Sequence, residues 1–106
     1  KYKHIFKKNQ EHLMRLEIST LLKLKQYTMA LNFSYKLVKK YKNGKNYETV
    51  GIILYQLKQY KKSLKYFESA YASDQNYKML LNIVDVLYSY LDKKKLAISY
   101  LETYIR

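Results

Sequence analysis

The sequence predicts an all-α fold in which three antiparallel helix pairs stack into an α-α superhelix, or solenoid. Three observations lead to this prediction. The 106-residue chain has two glycines and no proline, so it lacks the turn formers that a β-sandwich or barrel needs. Its apolar residues recur at helical spacing. The sequence also repeats itself every 33 to 34 residues, a period long enough for one helix pair.

The internal repeat is clearest at Leu24–Tyr27, which returns 33 residues later as Leu57–Tyr60 with the same four letters. Further correspondences lie 34 residues apart in the second and third units, namely Ser63 with Ala97, Tyr66 with Tyr100, Val50 with Val84 and Leu54 with Tyr88. We therefore expect a single domain over residues 1–106, built from repeats at about 10–42, 44–77 and 78–106.

Each repeat is predicted to contain two helices that share a short polar turn. In the middle unit, Tyr47, Val50 and Leu54 fall on one face of the first helix. Phe67 and Ala70 fall on one face of the second. The same spacing in all three units predicts helices at about 8–24, 27–41, 45–57, 60–72, 77–90 and 93–105.

Polar residues between the pairs predict where helices stop and start. Asn43 and Gly44 form a turn signal, in which we expect the glycine to adopt a positive φ. Asp74 and Asn76 are candidates to cap the first helix of the third pair. Asp92 is the corresponding candidate for the last helix.

The period, the helix pairing and the alternation of small and large residues resemble the tetratricopeptide repeat (TPR). The middle unit carries the resemblance best, through Tyr47, Val50, Gly51, Leu54, Ser63, Phe67 and Ala70. The small residues Gly51 and Ser63 would let paired helices approach closely. The third unit departs from the family pattern at Asp85 and Tyr104, where small residues are expected. The resemblance covers the chain from about residue 10 to its end.

This resemblance implies a non-catalytic scaffold that binds another protein or a peptide in a concave groove lined by the first helix of each pair. The projected groove residues are Arg15, Ser19, Lys23, Glu48, Thr49, Ile52, Tyr55, Gln56, Asn82, Ile83, Val86 and Tyr90. We expect an apolar or aromatic ligand, with Tyr55 and Tyr90 as anchors. The alternative is that the apolar members are half-buried against neighbouring helices. Because Glu48 would repel a carboxylate, we do not expect binding of the acidic chaperone tails that some relatives recognise.

The residues that support catalysis or cofactor binding are sparse. Cysteine is absent, and His4 and His12 are the only histidines, so no set of three or four metal ligands is evident. Two isolated glycines do not make a phosphate-binding loop. We expect no enzymatic activity, no metal and no cofactor.

The charge leaves a second function open. Twenty-one Lys and Arg residues against eight acids give a formal net charge of +13. The alternative to groove binding is therefore a basic surface that binds RNA, an acidic lipid or an acidic protein. Nearly all the cations are lysine, as in sequences biased toward A and T, and they concentrate at Lys39–Lys45, Lys58–Lys65 and Lys93–Lys95. This distribution favours a solvated exterior over nucleic-acid binding.

The termini and the compartment are constrained only weakly. The longest uncharged stretch, Gln26–Tyr35, is too short to span a bilayer. The last helix carries Ile98, Leu101, Tyr104 and Ile105 with few charges. We therefore expect the chain to belong to a longer repeat array, or to self-associate through its open ends. The sequence does not assign a compartment.

Overall fold

The computed structural model describes residues 9–105, and over that range the chain forms six helices and no strand. The helices are α1 (Gln10–Lys23), α2 (Tyr27–Lys40), α3 (Gly44–Gln56), α4 (Tyr60–Asp74), α5 (Tyr77–Asp85, continued as a π-helix over Val86–Tyr90) and α6 (Lys94–Ile105). The all-α prediction is confirmed, and the helix bounds agree with it to within about two residues. The expected start of the first helix at residue 8 lies outside the described residues, as does His4.

Each first helix (α1, α3 and α5) is followed, two positions after its last residue, by a residue with left-handed backbone. These residues are Lys25 (φ 58°), Lys58 (φ 61°) and Asp92 (φ 53°). In the second turn, the N–H groups of Lys58 and Gln59 donate to carbonyls of the last turn of α3 at 3.0 and 2.9 Å. This is a Schellman arrangement, and it satisfies carbonyls that the helix end would leave unpaired. The repeated Leu-Lys-Gln-Tyr segment therefore encodes a repeated turn.

Asparagines start two of the first helices. Asn43 precedes α3 with extended backbone, and its side chain accepts a hydrogen bond from the Asn46 N–H at 3.0 Å. Asn76 precedes α5 in the same way and accepts from the Lys78 N–H at 2.8 Å. Each satisfies one of the unpaired amides at a helix start. The prediction for Asn76 is confirmed.

Three turn predictions are wrong. Asp74 does not cap α5, because it is the last residue of α4 and Asn76 is the capping residue. Gly44 does not adopt a positive φ, since it is the first residue of α3. Its role is close approach, because a Cβ atom there would lie 3.0 Å from the Cβ of Asp74 at the end of α4. Asp92 does not cap α6, because its left-handed backbone terminates α5 and Lys93 separates it from the first residue of α6.

The small residues Gly51 and Ser63 let α3 and α4 pack closely, as predicted. A Cβ atom on Gly51 would lie only 2.6 Å from the Cδ1 and Cε1 atoms of Phe67. Ser63 is fully buried, and its hydroxyl donates to the Tyr60 carbonyl at 2.8 Å. The aromatic ring of Phe67 therefore occupies the space that a larger residue at position 51 would need.

The core consists of two groups of buried side chains. The first lies within the first two helix pairs and contains Ile18, Ala30, Leu31, Leu37, Val38, Val50, Ile53 and Leu54. The second joins the second and third pairs and contains Phe67, Ile83, Val86, Leu87 and Ala97. Burial of these apolar groups is the main force that holds successive pairs together.

The π-helix in α5 accommodates one extra residue. The capping residues Asn43 and Asn76 are 33 positions apart, whereas the left-handed Lys58 and Asp92 are 34 apart. Within the π-helix, the Leu91 N–H donates to the carbonyl five residues earlier, at 3.0 Å, so one turn is wider than an α-turn. Residues of α5 that precede the π-helix therefore correspond to α3 at a spacing of 33, not 34.

This shift corrects two sequence correspondences. Val50 pairs with Ile83 instead of Val84, and both Val50 and Ile83 are fully buried. The expected pairing of Leu54 with Tyr88 is wrong as well, since Leu54 is buried and Tyr88 is 53% exposed. α-Helical spacing alone does not show that α5 contains one residue more than α3.

Each helix packs on the next, and contacts also join helices one pair apart. On the first helices, the Asn82 side chain donates to Glu48 at 3.3 Å. On the second helices, the Tyr100 hydroxyl donates to Glu68 at 2.5 Å, and burial, together with this bond, raises the pKa of Tyr100 to about 12. The molecule is elongated, with extents of 55 × 29 × 18 Å.

The outer face of α6 exposes several apolar side chains, and Ile105 is 81% exposed. Ile98 and Tyr104 are also exposed, whereas Leu101 is half-buried. Self-association through this face stays a prediction. No helix within residues 9–105 is both long and apolar enough to cross a bilayer.

Candidate functional site

The first helices α1, α3 and α5 form a common surface, called here the first-helix face. All the projected groove residues except two are exposed or half-buried on these helices. The exceptions are Ile83 and Val86, which have no exposed surface and pack in the second core group. The expectation that they line a groove is wrong, because the one-residue shift in α5 turns them toward α4 and α6.

A cavity of about 350 Å³ opens between α1 and α3. Three projected groove residues, Arg15, Ser19 and Thr49, lie in its wall. The remaining lining residues are His12, Leu16, Ile18, Leu22 and Lys45. Aliphatic side chains therefore meet two cationic ones here, namely Arg15, which is ion-paired with Glu11, and Lys45.

Arg15 is held in place by a polar network at the start of α3. The carboxylate of Glu11 accepts hydrogen bonds from Arg15 at 2.9 Å, from the Asn43 side chain at 3.0 Å and from the Asn46 side chain at 3.0 Å. These bonds lower the pKa of Glu11 to about 2, chiefly through the Arg15 guanidinium. Glu11 and Arg15 thus fasten α1 to α3 and fix one wall of the cavity.

Asn46 is the fully buried member of this network. Its side-chain amide donates both to Glu11 at 3.0 Å and to the Tyr41 carbonyl at 2.8 Å. Its carbonyl oxygen is buried without a hydrogen-bond partner in the structure. Such an atom costs free energy, so the two donated bonds are the reason the residue is tolerated in the core.

A second cavity, of about 250 Å³, opens between α3 and α5. It contains three projected groove residues, Ile52, Tyr55 and Asn82. Phe67 and Asp85 complete its wall. This cavity therefore combines aromatic and aliphatic surface with a carboxylate, whereas the cavity between α1 and α3 carries cations.

Three tyrosines cluster at the edge of the second cavity. The ring of Tyr90 stacks on Tyr60 at a centroid distance of 4.0 Å, and Tyr55 packs edge-on against both rings at 5.4 Å. The Tyr55 hydroxyl donates to Asp85 at 2.9 Å and lies 3.1 Å from the Tyr90 hydroxyl. Because a phenol has one proton, donation to Asp85 leaves the Tyr55 oxygen free to accept from Tyr90.

These contacts fix the orientation of Tyr55. The hydrogen bond with Tyr90, burial and the Asp85 carboxylate all raise the pKa of Tyr55 above its ordinary value. A phenol is protonated at neutral pH even with its ordinary pKa, and here it serves as a hydrogen-bonded wall of the cavity. Tyr90 is 45% exposed and presents the outer edge of the cluster to solvent.

The sequence did not indicate every residue of this face. Phe67 was assigned to the core alone, yet its ring also reaches the cavity between α3 and α5. Asp85 was noted only as a departure from the repeat pattern, although it accepts the Tyr55 hydrogen bond. The signal available in the sequence was the charge of Asp85 itself, in a helix otherwise rich in apolar residues. Lys23 and Gln56 are exposed but line neither cavity.

No group of three or more His, Asp or Glu residues lies close enough to hold a metal ion within residues 9–105. Comparison of the chain with protein-family models gives no match, and comparison with curated proteins gives none either. The resemblance to TPR proteins therefore rests on the sequence pattern.

Proposed function

We propose that this protein is a non-catalytic binding module, a TPR-like superhelix that holds a protein segment or peptide on its first-helix face. The observation that carries the proposal is the position of the two cavities. Each opens between successive first helices, and together they contain six of the projected groove residues: Arg15, Ser19, Thr49, Ile52, Tyr55 and Asn82. A ligand lying across α3 would reach both.

The chemistry of the two cavities favours an extended segment with an apolar or aromatic side chain. Ile52 is 40% exposed at the second cavity and offers a contact for such a group. Tyr55 and Tyr90 are its proposed aromatic anchors, held in position by their mutual contact. A preorganised aromatic wall lowers the entropy cost of binding. Aromatic residues also carry much of the energy at interface centres.

The test is selection of peptides from a random display library against the whole chain, followed by affinity measurement on variants. Replacing both Tyr55 and Tyr90 with alanine should weaken binding of selected peptides by about 2 kcal/mol or more. Tyr104→Ala is the matched control, because Tyr104 is a similarly exposed tyrosine on α6. Unchanged affinity in the double variant, with its helical circular dichroism intact, would exclude the first-helix face as the site.

Acidic C-terminal peptides of the chaperone type should not bind this face. Glu48 is half-buried there, and its carboxylate is held by Asn82. A peptide carboxylate placed beside it would be repelled, at a cost that Coulomb's law puts at about 1 kcal/mol or more at 4 Å. Submillimolar binding of such a peptide, lost on substitution of Ile52, would contradict this proposal.

A further inference from the structure

We propose that the protein also docks on anionic lipid surfaces through one edge, where the turns between the first and second helices lie. This turn edge comprises residues 24–26, 57–59 and 91–93 together with the lysines beside them. Its lysines line neither cavity of the first-helix face, so the inference does not depend on the proposed peptide binding.

Contacts in the structure place the three turns next to one another. Leu57, from the second turn, lines the same surface depression of about 480 Å³ as Lys25 and Gln26 of the first turn. Tyr60, which follows the second turn, stacks on Tyr90, which precedes the third. The three turns therefore form a row along one side of the molecule.

This row concentrates eight lysines with a single acid, Asp92, in its turns. The lysines on the turn edge are Lys23, Lys25, Lys58, Lys61, Lys62, Lys93, Lys94 and Lys95, all of them exposed. None forms an ion pair in the part of the chain that the structure describes. Lysines near an anionic leaflet each contribute about 1 kcal/mol, so a row of this kind attracts such a surface strongly.

Exposed aliphatic side chains among these lysines favour lipid as the partner. Leu24 is 61% exposed, Met29 48% and Leu96 44%. Aliphatic groups gain free energy by entering the boundary between headgroups and acyl chains, while lysines remain at the phosphates. They give no such gain against RNA.

The aromatic residues of the turn edge are poorly placed for RNA. Binding of single-stranded RNA uses aromatic faces on which bases stack. Tyr60 and Tyr90 already stack on each other at 4.0 Å, with Tyr55 against both, so their facing surfaces are occupied. The exposed ring of Tyr88 has the Lys94 ammonium over it, 5.3 Å from its centroid. The combination of exposed lysines, exposed aliphatic groups and occupied aromatic faces fits an anionic bilayer better than a nucleic acid.

The test is sedimentation of the whole chain with vesicles of phosphatidylcholine, alone or with roughly one third phosphatidylserine. Binding is expected only to the anionic vesicles and should fall as salt is raised. The combined substitution Lys61→Gln, Lys62→Gln and Lys95→Gln should lower the partition coefficient by up to about a hundredfold, or about fivefold per lysine.

A matched control removes three exposed lysines that lie at the opposite edge of the molecule, near the end of α2 and the start of α5. Lys39→Gln, Lys42→Gln and Lys78→Gln change the net charge equally and should lower the partition coefficient much less. Leu24→Ser with Leu96→Ser should weaken binding that persists at high salt. An equal loss in both triple variants would show general charge attraction and overturn the proposal. The absence of vesicle binding would also overturn the proposal. If a single-stranded RNA probe binds instead, and the turn-edge variant abolishes that binding, the partner of this edge is RNA.

Discussion

The packing of Gly51 against Phe67 predicts whether Gly51→Ala raises or lowers the free energy of unfolding. In an exposed helix interior, Gly→Ala stabilises a protein by about 1 kcal/mol, because alanine restricts the unfolded chain. At position 51 the added Cβ would lie 2.6 Å from two ring carbons of Phe67. Ordinary carbon contacts are about 3.5–4.0 Å, so the ring or the helix must move by about 1 Å.

That movement is costly because Phe67 is only 2% exposed and packs in the second core group, with one side of its ring bordering the cavity between α3 and α5. Overpacking costs about 1–3 kcal/mol. Because two ring atoms would be approached about 1 Å too closely, we place this site at about 2–3 kcal/mol, which exceeds the propensity gain of about 1 kcal/mol. We expect Gly51→Ala to lower the free energy of unfolding by about 1–2 kcal/mol. For a domain of this size the melting temperature should then fall by about 4 °C or more.

The assay is thermal and urea denaturation followed by circular dichroism, with Phe67→Leu as a second background. Removing the ring removes the clash, so Gly51→Ala should stabilise the Phe67→Leu variant by up to about 1 kcal/mol. The two substitutions would then be coupled by about 2–3 kcal/mol. A higher melting temperature for Gly51→Ala in the wild-type background would refute the reasoning.

Three further predictions concern the polar network, the turns and the π-helix. The depressed pKa of Glu11 stabilises the fold above its ordinary value of 4.5, and this contribution is lost as the pH falls from 4.5 to about 2. Because the Glu11 side chain is one third exposed, we expect this contribution to the free energy of unfolding to be about 1–2 kcal/mol. Urea denaturation at a series of pH values would measure it, and the Glu11→Gln variant should lack it. Lys58→Gly should raise the free energy of unfolding by up to about 1 kcal/mol, since φ is 61° there, whereas Lys65→Gly within α4 should lower it by a similar amount. Deleting Ser89 should convert the π-helix to an α-helix and lower the free energy of unfolding by less than about 2 kcal/mol. Deleting Gln56 from α3, which has no extra residue to lose, should shift the following residues and unfold the domain. Melting curves of the two deletion variants would test both expectations.

The helices could be located from the sequence because their determinants are local. Apolar spacing predicted each helix, and a side-chain cap at Asn76 was recognisable from its residue type and position. The small residues at Gly51 and Ser63 were also assigned correctly, because the repeat pattern pairs them with a large residue. The role of Gly44 was misjudged, since the atom it must avoid belongs to Asp74, thirty residues away.

About half of the candidate site followed from the sequence. Arg15, Thr49, Ile52, Tyr55 and Asn82 are among the residues that line the two cavities. The errors at Ile83 and Val86 came from the rotation of α5. A helix turns each residue by about 100°, so one extra residue changes which face the side chains before it present relative to those after it.

The sequence by itself determined that the chain is all-α, together with the helix bounds and the packing of adjacent helices, because hydrophobic period and turn residues act over a few positions. The tertiary structure decided which side of α5 is buried. The π-helix takes up one extra residue between the cap at Asn76 and the left-handed turn residue Asp92. The tertiary structure also decided that Ile83 and Val86 belong to the core and that Tyr55, Asp85 and Tyr90 form one cluster. Those contacts join residues about 30 positions apart, and only packing of one helix pair on the next brings them together.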